Sequence, residues 1–119
     1  MTSTPSISEP GIDISWPAPD MALVVLSGEH DLSSAGDLGK ALAESLEASS
    51  HLIVNLSAAE FIDSSTIGAL VSAKHSADAV GKKFTLVLGT AAIVERALEV
   101  SGVIPILNVV PTVDAALGD

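Results

Sequence analysis

Asp63, Ser64, Ser65 and Thr66 place one carboxylate and three hydroxyls in a row, directly after Phe61-Ile62 and directly before Ile67-Gly68-Ala69-Leu70. An acid and hydroxyls at the start of an amphipathic run suit two kinds of chemistry. Asp and Ser are favoured helix N-caps, because a side-chain oxygen accepts a hydrogen bond from a first-turn amide that lacks a partner within the helix. Those same amides, at the positive end of the helix dipole, can also accommodate a phosphate ester on Ser64 or Ser65, so a reversible phosphorylation switch is physically sensible here. Taken alone, the local sequence favours the cap; the two uses are compatible.

Other chemistries find weaker support. A serine hydrolase would need a histidine near its nucleophile, yet no Gly-x-Ser-x-Gly turn surrounds either serine, and His75 lies about three helical turns beyond Ser64. His30, His51 and His75 all make poor triad members, although His30 could approach from a neighbouring loop. Glu29-His30-Asp31 crowds three metal-ligand types together without a second cluster, which reads more simply as a solvated loop. Gly89-Thr90 has neither the Walker lysine nor the dinucleotide glycine series, so Thr90 is expected to cap a helix. The chain has no Cys, which removes disulfides, thiolate catalysis and thiol redox sensing together. No catalytic residue, cofactor or metal is expected.

The elements that must position the Asp63 junction come from one domain. The 119 residues are 48% hydrophobic, enough for one core, and aromatics are only 3%, so that core must be built from Val, Leu, Ile and Ala, as in an α/β layer structure. Fifteen acidic against five basic residues give a formal charge of −10, which argues against a nucleic-acid partner; Lys40, Lys74, Lys82, Lys83 and Arg96 are scattered. No apolar run approaches the roughly 20 residues of a membrane span, so no membrane insertion and a cytoplasmic location are expected. Residues 1–10 read as a flexible tail and 11–119 as the domain.

Alternation marks Ile12–Trp16 as a strand, and Pro17 and Pro19 separate it from the apolar run Met21–Leu26. Ser34–Ala48 has a helical period, with Ser33 or Ser34 able to cap it. His51–Leu56 reads as a buried strand, Ser57–Ile62 as a loop, and Ser65–Val80 as a helix with Ile67, Leu70, Ala73, Ala77 and Val80 inward and Gly81 as its stop. Phe84–Leu88 is a further strand, Ala91–Ser101 a helix stopped at Gly102, Ile104–Val109 a last strand, and Pro111–Leu117 a short helix. The order β-β-α-β-α-β-α-β-α predicts a mostly parallel, mixed sheet of about five strands with four helices packed on it.

Several ordered segments resemble one family. Leu26-Ser27-Gly28-Glu29-His30-Asp31-Leu32, Val54-Asn55-Leu56-Ser57, Phe61 to Gly68 and Leu98-Glu99-Val100-Ser101-Gly102-Val103 are similar to the STAS domain of bacterial anti-sigma-factor antagonists. The resemblance implies a partner-switching protein of transcription regulation and stress response. The unmodified form would bind an anti-sigma factor that is also a serine kinase, and phosphorylation would release it until a phosphatase acts. It implies Ser64 as the phosphorylated residue ahead of Ser65 and Thr66, and a partner-binding face drawn from Glu29, Asp31, Asp63, Ser64, Ser65, Thr66 and Gly68. Two positions depart from the family pattern: Thr66 stands where Gly is usual and Asn55 where Asp is common. An alternative within the same fold is a STAS subunit scaffolding a transporter or a lipid-trafficking ATPase complex, although a free-standing chain with Asp63-Ser64-Ser65 intact favours the antagonist. The sequence leaves the oligomeric state open.

Overall fold

In the computed structural model, which describes residues 9–118, five strands form one sheet in the order β1-β2-β3-β4-β5. The tail expected over residues 1–10 lies outside the described residues apart from Glu9 and Pro10. β1 (Gly11–Ala18) pairs antiparallel with β2 (Met21–His30), and β3 (His51–Ile62), β4 (Lys83–Val87) and β5 (Val109–Val110) follow parallel to it. The connections are α1 (Leu32–Glu47), α2 (Ser64–Ala79) and α3 (Ala92–Ser101), and α4 (Val113–Leu117) follows β5. This is the mixed α/β architecture expected from the order of periodic segments.

Right-handed crossovers between neighbouring parallel strands bring their helices to the same face of the sheet. One apolar cluster accordingly joins Leu38 and Leu42 of α1, Leu70 and Ala77 of α2, and Val94 and Leu98 of α3 to Val24, Leu52, Val54 and Leu86 of the sheet. The opposite face carries a smaller cluster in which Ala116 of α4 meets Ile53 and Val87. β3 is therefore buried on both sides over Leu52-Ile53-Val54, which is why that stretch is apolar without alternation. Each fully buried Leu or Val in this layer contributes about 1.5–3 kcal/mol relative to exposure, so aliphatic residues carry most of the core, joined by the buried ring of Phe84.

Four local expectations are corrected. Residues 57–62 are not a loop but the continuation of β3, with register shifts where Val25↔Asn55 gives way to Ser27↔Ala58 and Gly28↔Ala59 to Glu29↔Phe61. The inward residues run Leu52, Val54, Leu56, Ala59, Ile62, so each extra residue stretches the period from two to three and hides the strand. Ile104–Val109 is not a strand: the amides of Ile106 and Leu107 turn back onto Val103 O, Pro105 has no N–H for a ladder, and only Val109–Val110 pair with β4. Val80 is the C-cap of α2 and is 64% exposed instead of completing the inward stripe. Thr90 does not cap α3, whose N-cap is Ala91 with no side-chain bond.

Candidate functional site

β2 and β3 end side by side, with Glu29 opposite Phe61 and His30 opposite Ile62. Whatever follows each strand must therefore start its helix at the same edge of the sheet. Asp31 and Asp63 do so, and they make the same cap: the Oδ1 of each accepts from the amide of the serine two residues on, at 2.9 Å from Ser33 and 3.0 Å from Ser65, and from that serine's hydroxyl at 2.6 Å. The cap of α1 is thus Asp31 and not Ser33 or Ser34. Gly28, at a φ of 75°, sits where the β2–β3 register shifts, a backbone conformation that a side chain would strain.

The three hydroxyls after Asp63 have different fates. Ser65 Oγ is committed to Asp63. Thr66 is fully buried and its Oγ1 donates to His30 O at 3.0 Å, tying the start of α2 to the end of β2. Ser64 is exposed as the first residue of α2, and its hydroxyl has no hydrogen-bond partner among the described residues. The first-turn amides that the sequence left open for a phosphate are taken as well, since Ser65 N and Thr66 N both donate to Asp63 Oδ1 and Ile67 N donates to Asp63 O. The donations from Ser65 and Thr66 to the carboxylate, the Ser65 hydroxyl first, hold the Asp63 carboxyl below the usual aspartate range; the Ser33 hydroxyl and amide do the same for Asp31, against the opposing like charge of Asp63.

Glu29 is the exposed penultimate residue of β2, not part of a loop, and Gly68 is exposed on α2 with open space where a Cβ would stand. Glu29, Asp31, Asp63, Ser64, Ser65 and Gly68 thus gather at or near one edge, and Thr66 lies beneath them. His30 is fully buried: its Nε2 faces Gly11 O and Ser27 O, each at 3.1 Å, and its Nδ1 faces Ser34 Oγ at 3.1 Å. That ring braces β1 and α1 against β2 and is not presented to Ser64. His51 is also buried, with Nε2 2.9 Å from Thr85 Oγ1, and His75 is exposed on α2. Among the described residues no group of His, Asp and Glu is placed to hold a metal ion, and no helix is long and apolar enough to cross a membrane.

Beside Ser64 lies a depression of about 370 Å³ between the starts of α2 and the outer side of α3. Phe61, Ile67, Ile93 and Val100 give it apolar walls, and Asp63 and Arg96 are its charged residues. Sequence reasoning passed over Arg96, Ile93 and Val100. The signal was present in α3, where Ile93, Ala97 and Val100 form a second apolar stripe beside the buried Val94 and Leu98, wider than one packed face needs.

The model of the STAS domain matches residues 17–116. A search of curated proteins returned no match. Among solved structures, the chain is similar to an anti-sigma factor antagonist from Mycobacterium paratuberculosis at 24% identity and a TM-score of 0.81, covering 98% of this chain and 97% of that one. It is similar to the Bacillus anti-sigma factor antagonist SpoIIAA in its unphosphorylated form, at 19% identity and a TM-score of 0.76 over 90% of this chain and 93% of that one. The phosphorylated form of that protein gives 18% identity and a TM-score of 0.70 over 91% and 97%. The murine Solute Carrier 26 family member A9 anion transporter is similar at 17% identity and a TM-score of 0.69, over 84% of this chain and 17% of the transporter. With the family model running from the end of β1 into α4 and across the paired Asp31 and Asp63 caps, the chain belongs to the STAS domain family.

Proposed function

We propose that the protein is an anti-sigma-factor antagonist, bound to an anti-sigma factor with serine-kinase activity when unmodified and released from it when Ser64 is phosphorylated. The observation that carries this reading is the division of labour among the three hydroxyls: Ser65 and Thr66 serve the fold, and Ser64 alone is exposed and uncommitted. The kinase would break the bond from the γ-phosphorus of ATP to ADP and form one to Ser64 Oγ, while the hydroxyl proton passes to a base of the kinase. Hydrolysis by a phosphatase returns the free hydroxyl. The chain acts in this cycle as ligand and substrate, with no catalytic group of its own.

Electrostatics gives the switch its direction. A phosphoserine adds about −1.5 to −2 charges at neutral pH, next to Asp63 and close to Asp31. A partner surface that buries this edge would have to strip water from that charge and face two acids as well. Ser64 takes no part in holding α2, so phosphate there changes the docking surface and leaves the fold alone. The similarity to SpoIIAA in both its unphosphorylated and phosphorylated forms supports a fold that tolerates the change.

A pull-down from the source cell, followed by ATP addition and intact-mass analysis, tests the reading. The expected result is a kinase-like partner that leaves when one phosphate is added, with the added mass absent in Ser64→Ala. A stable complex with a transporter or an ATPase, indifferent to Ser64→Ala, would support the scaffolding role instead.

A further inference from the structure

We propose that Arg96 is the countercharge for a phosphate on Ser64, forming a clamp across the depression between α2 and α3 that closes over the apolar walls a partner would bury. The inference rests on Ser64 as the acceptor and adds the residue that reads its state. Three observations converge on it. The amides of Ser65, Thr66 and Ile67 are already engaged by Asp63, so these first-turn donors are not open to a phosphate at Ser64. Arg96 lines the same depression as Ser64, and it is the single cation there. Its guanidinium makes no ion pair among the described residues, even though the chain carries fifteen acids; Lys74 is paired with Asp78, and Lys82 is spent on Leu46 O and Glu47 O.

A guanidinium matches a phosphate by two parallel N–H···O bonds, which a solvated lysine does not reproduce. Before modification, Arg96 offers a positive charge amid Phe61, Ile93 and Val100, an apolar surface that is 37%, 56% and 74% exposed at those residues and suits a partner element with apolar side chains and an acid. After phosphoryl transfer from ATP to Ser64 Oγ, the charge is drawn to the phosphate. The partner then loses its counterion and meets a bridged depression. Release would thus have two components, repulsion by the added charge and withdrawal of Arg96.

The clamp can be tested without a kinase by installing phosphoserine at position 64 during synthesis and following the phosphate by phosphorus NMR as pH is varied. Asp63 and Arg96 are the charged residues of the depression, and Asp31 stands beyond Asp63 on the start of α1. The second pKa of the phosphate should lie about 0.5 lower in the wild type than in Arg96→Gln, with Arg96→Lys between, and the gap should shrink at high salt. Superimposed titrations of the wild type and Arg96→Gln would overturn the clamp while leaving Ser64 as the acceptor. Peptide mapping that puts the kinase's phosphate on Ser65 would overturn both.

Discussion

Thr66 and Asp63 show how tightly single residues bind the candidate site to the fold. Thr66, a β-branched residue in the first turn of α2, fits there because it is buried and gives its proton to His30 O. Thr66→Val keeps the shape and leaves that carbonyl without its donor, so it should destabilise the protein by about 1–3 kcal/mol in urea unfolding, with Thr66→Ser closer to the wild type. Asp63→Ala should cost about 1 kcal/mol at neutral pH through loss of the cap. The folded-state pKa of Asp63 is depressed, so its contribution is complete above the usual aspartate range and fades as pH falls through the lower, folded value. The stability gap between wild type and Asp63→Ala should therefore narrow in acid, and an unfolding series at stepped pH measures it.

At the scale of elements, the helices were legible and the strand ends were not. Leu38, Leu42 and Leu46 of α1 and Ile67, Leu70, Ala73 and Ala77 of α2 recur at helical spacing and are buried as that spacing requires. β3 was half read, because two bulges replace alternation by steps of three over Leu56, Ala59 and Ile62, a pattern that mimics neither a helix nor a regular strand. That hidden extension matters for the site, since it carries Phe61 and Ile62 to the end of β2 and delivers Asp63 beside Asp31. The Asp63 cap with its run of hydroxyls was legible at the start of α2, whereas the contacts of Thr66 and His30 are long-range and spacing cannot reveal them. Gly68 tests the exposed face of α2: a Cβ there meets open space, so Gly68→Ala should raise stability by up to about 1 kcal/mol through helix propensity. The same substitution should weaken binding of the kinase partner if that face is buried in the complex, a contrast that calorimetry alongside thermal unfolding would expose.

For the whole molecule, the charge of −10 and the sheet with three helices on one face describe an acidic platform beneath the switch proposed at Ser64. So acidic a protein favours a partner that is basic overall, the acid opposite Arg96 being local to the depression, and association should slow as salt is raised while dissociation changes less, as stopped-flow mixing would record. The Asp31 and Asp63 caps sit on the ends of two paired strands, and the hydroxyl proposed for modification, that of Ser64, bonds to nothing among the described residues. The most direct test is the dissociation constant of the recovered anti-sigma factor for the unmodified chain against the chain carrying phosphoserine at 64. The account predicts at least about tenfold weaker binding of the phosphorylated chain, equivalent to about 1.4 kcal/mol. Equal affinities for the two would contradict it.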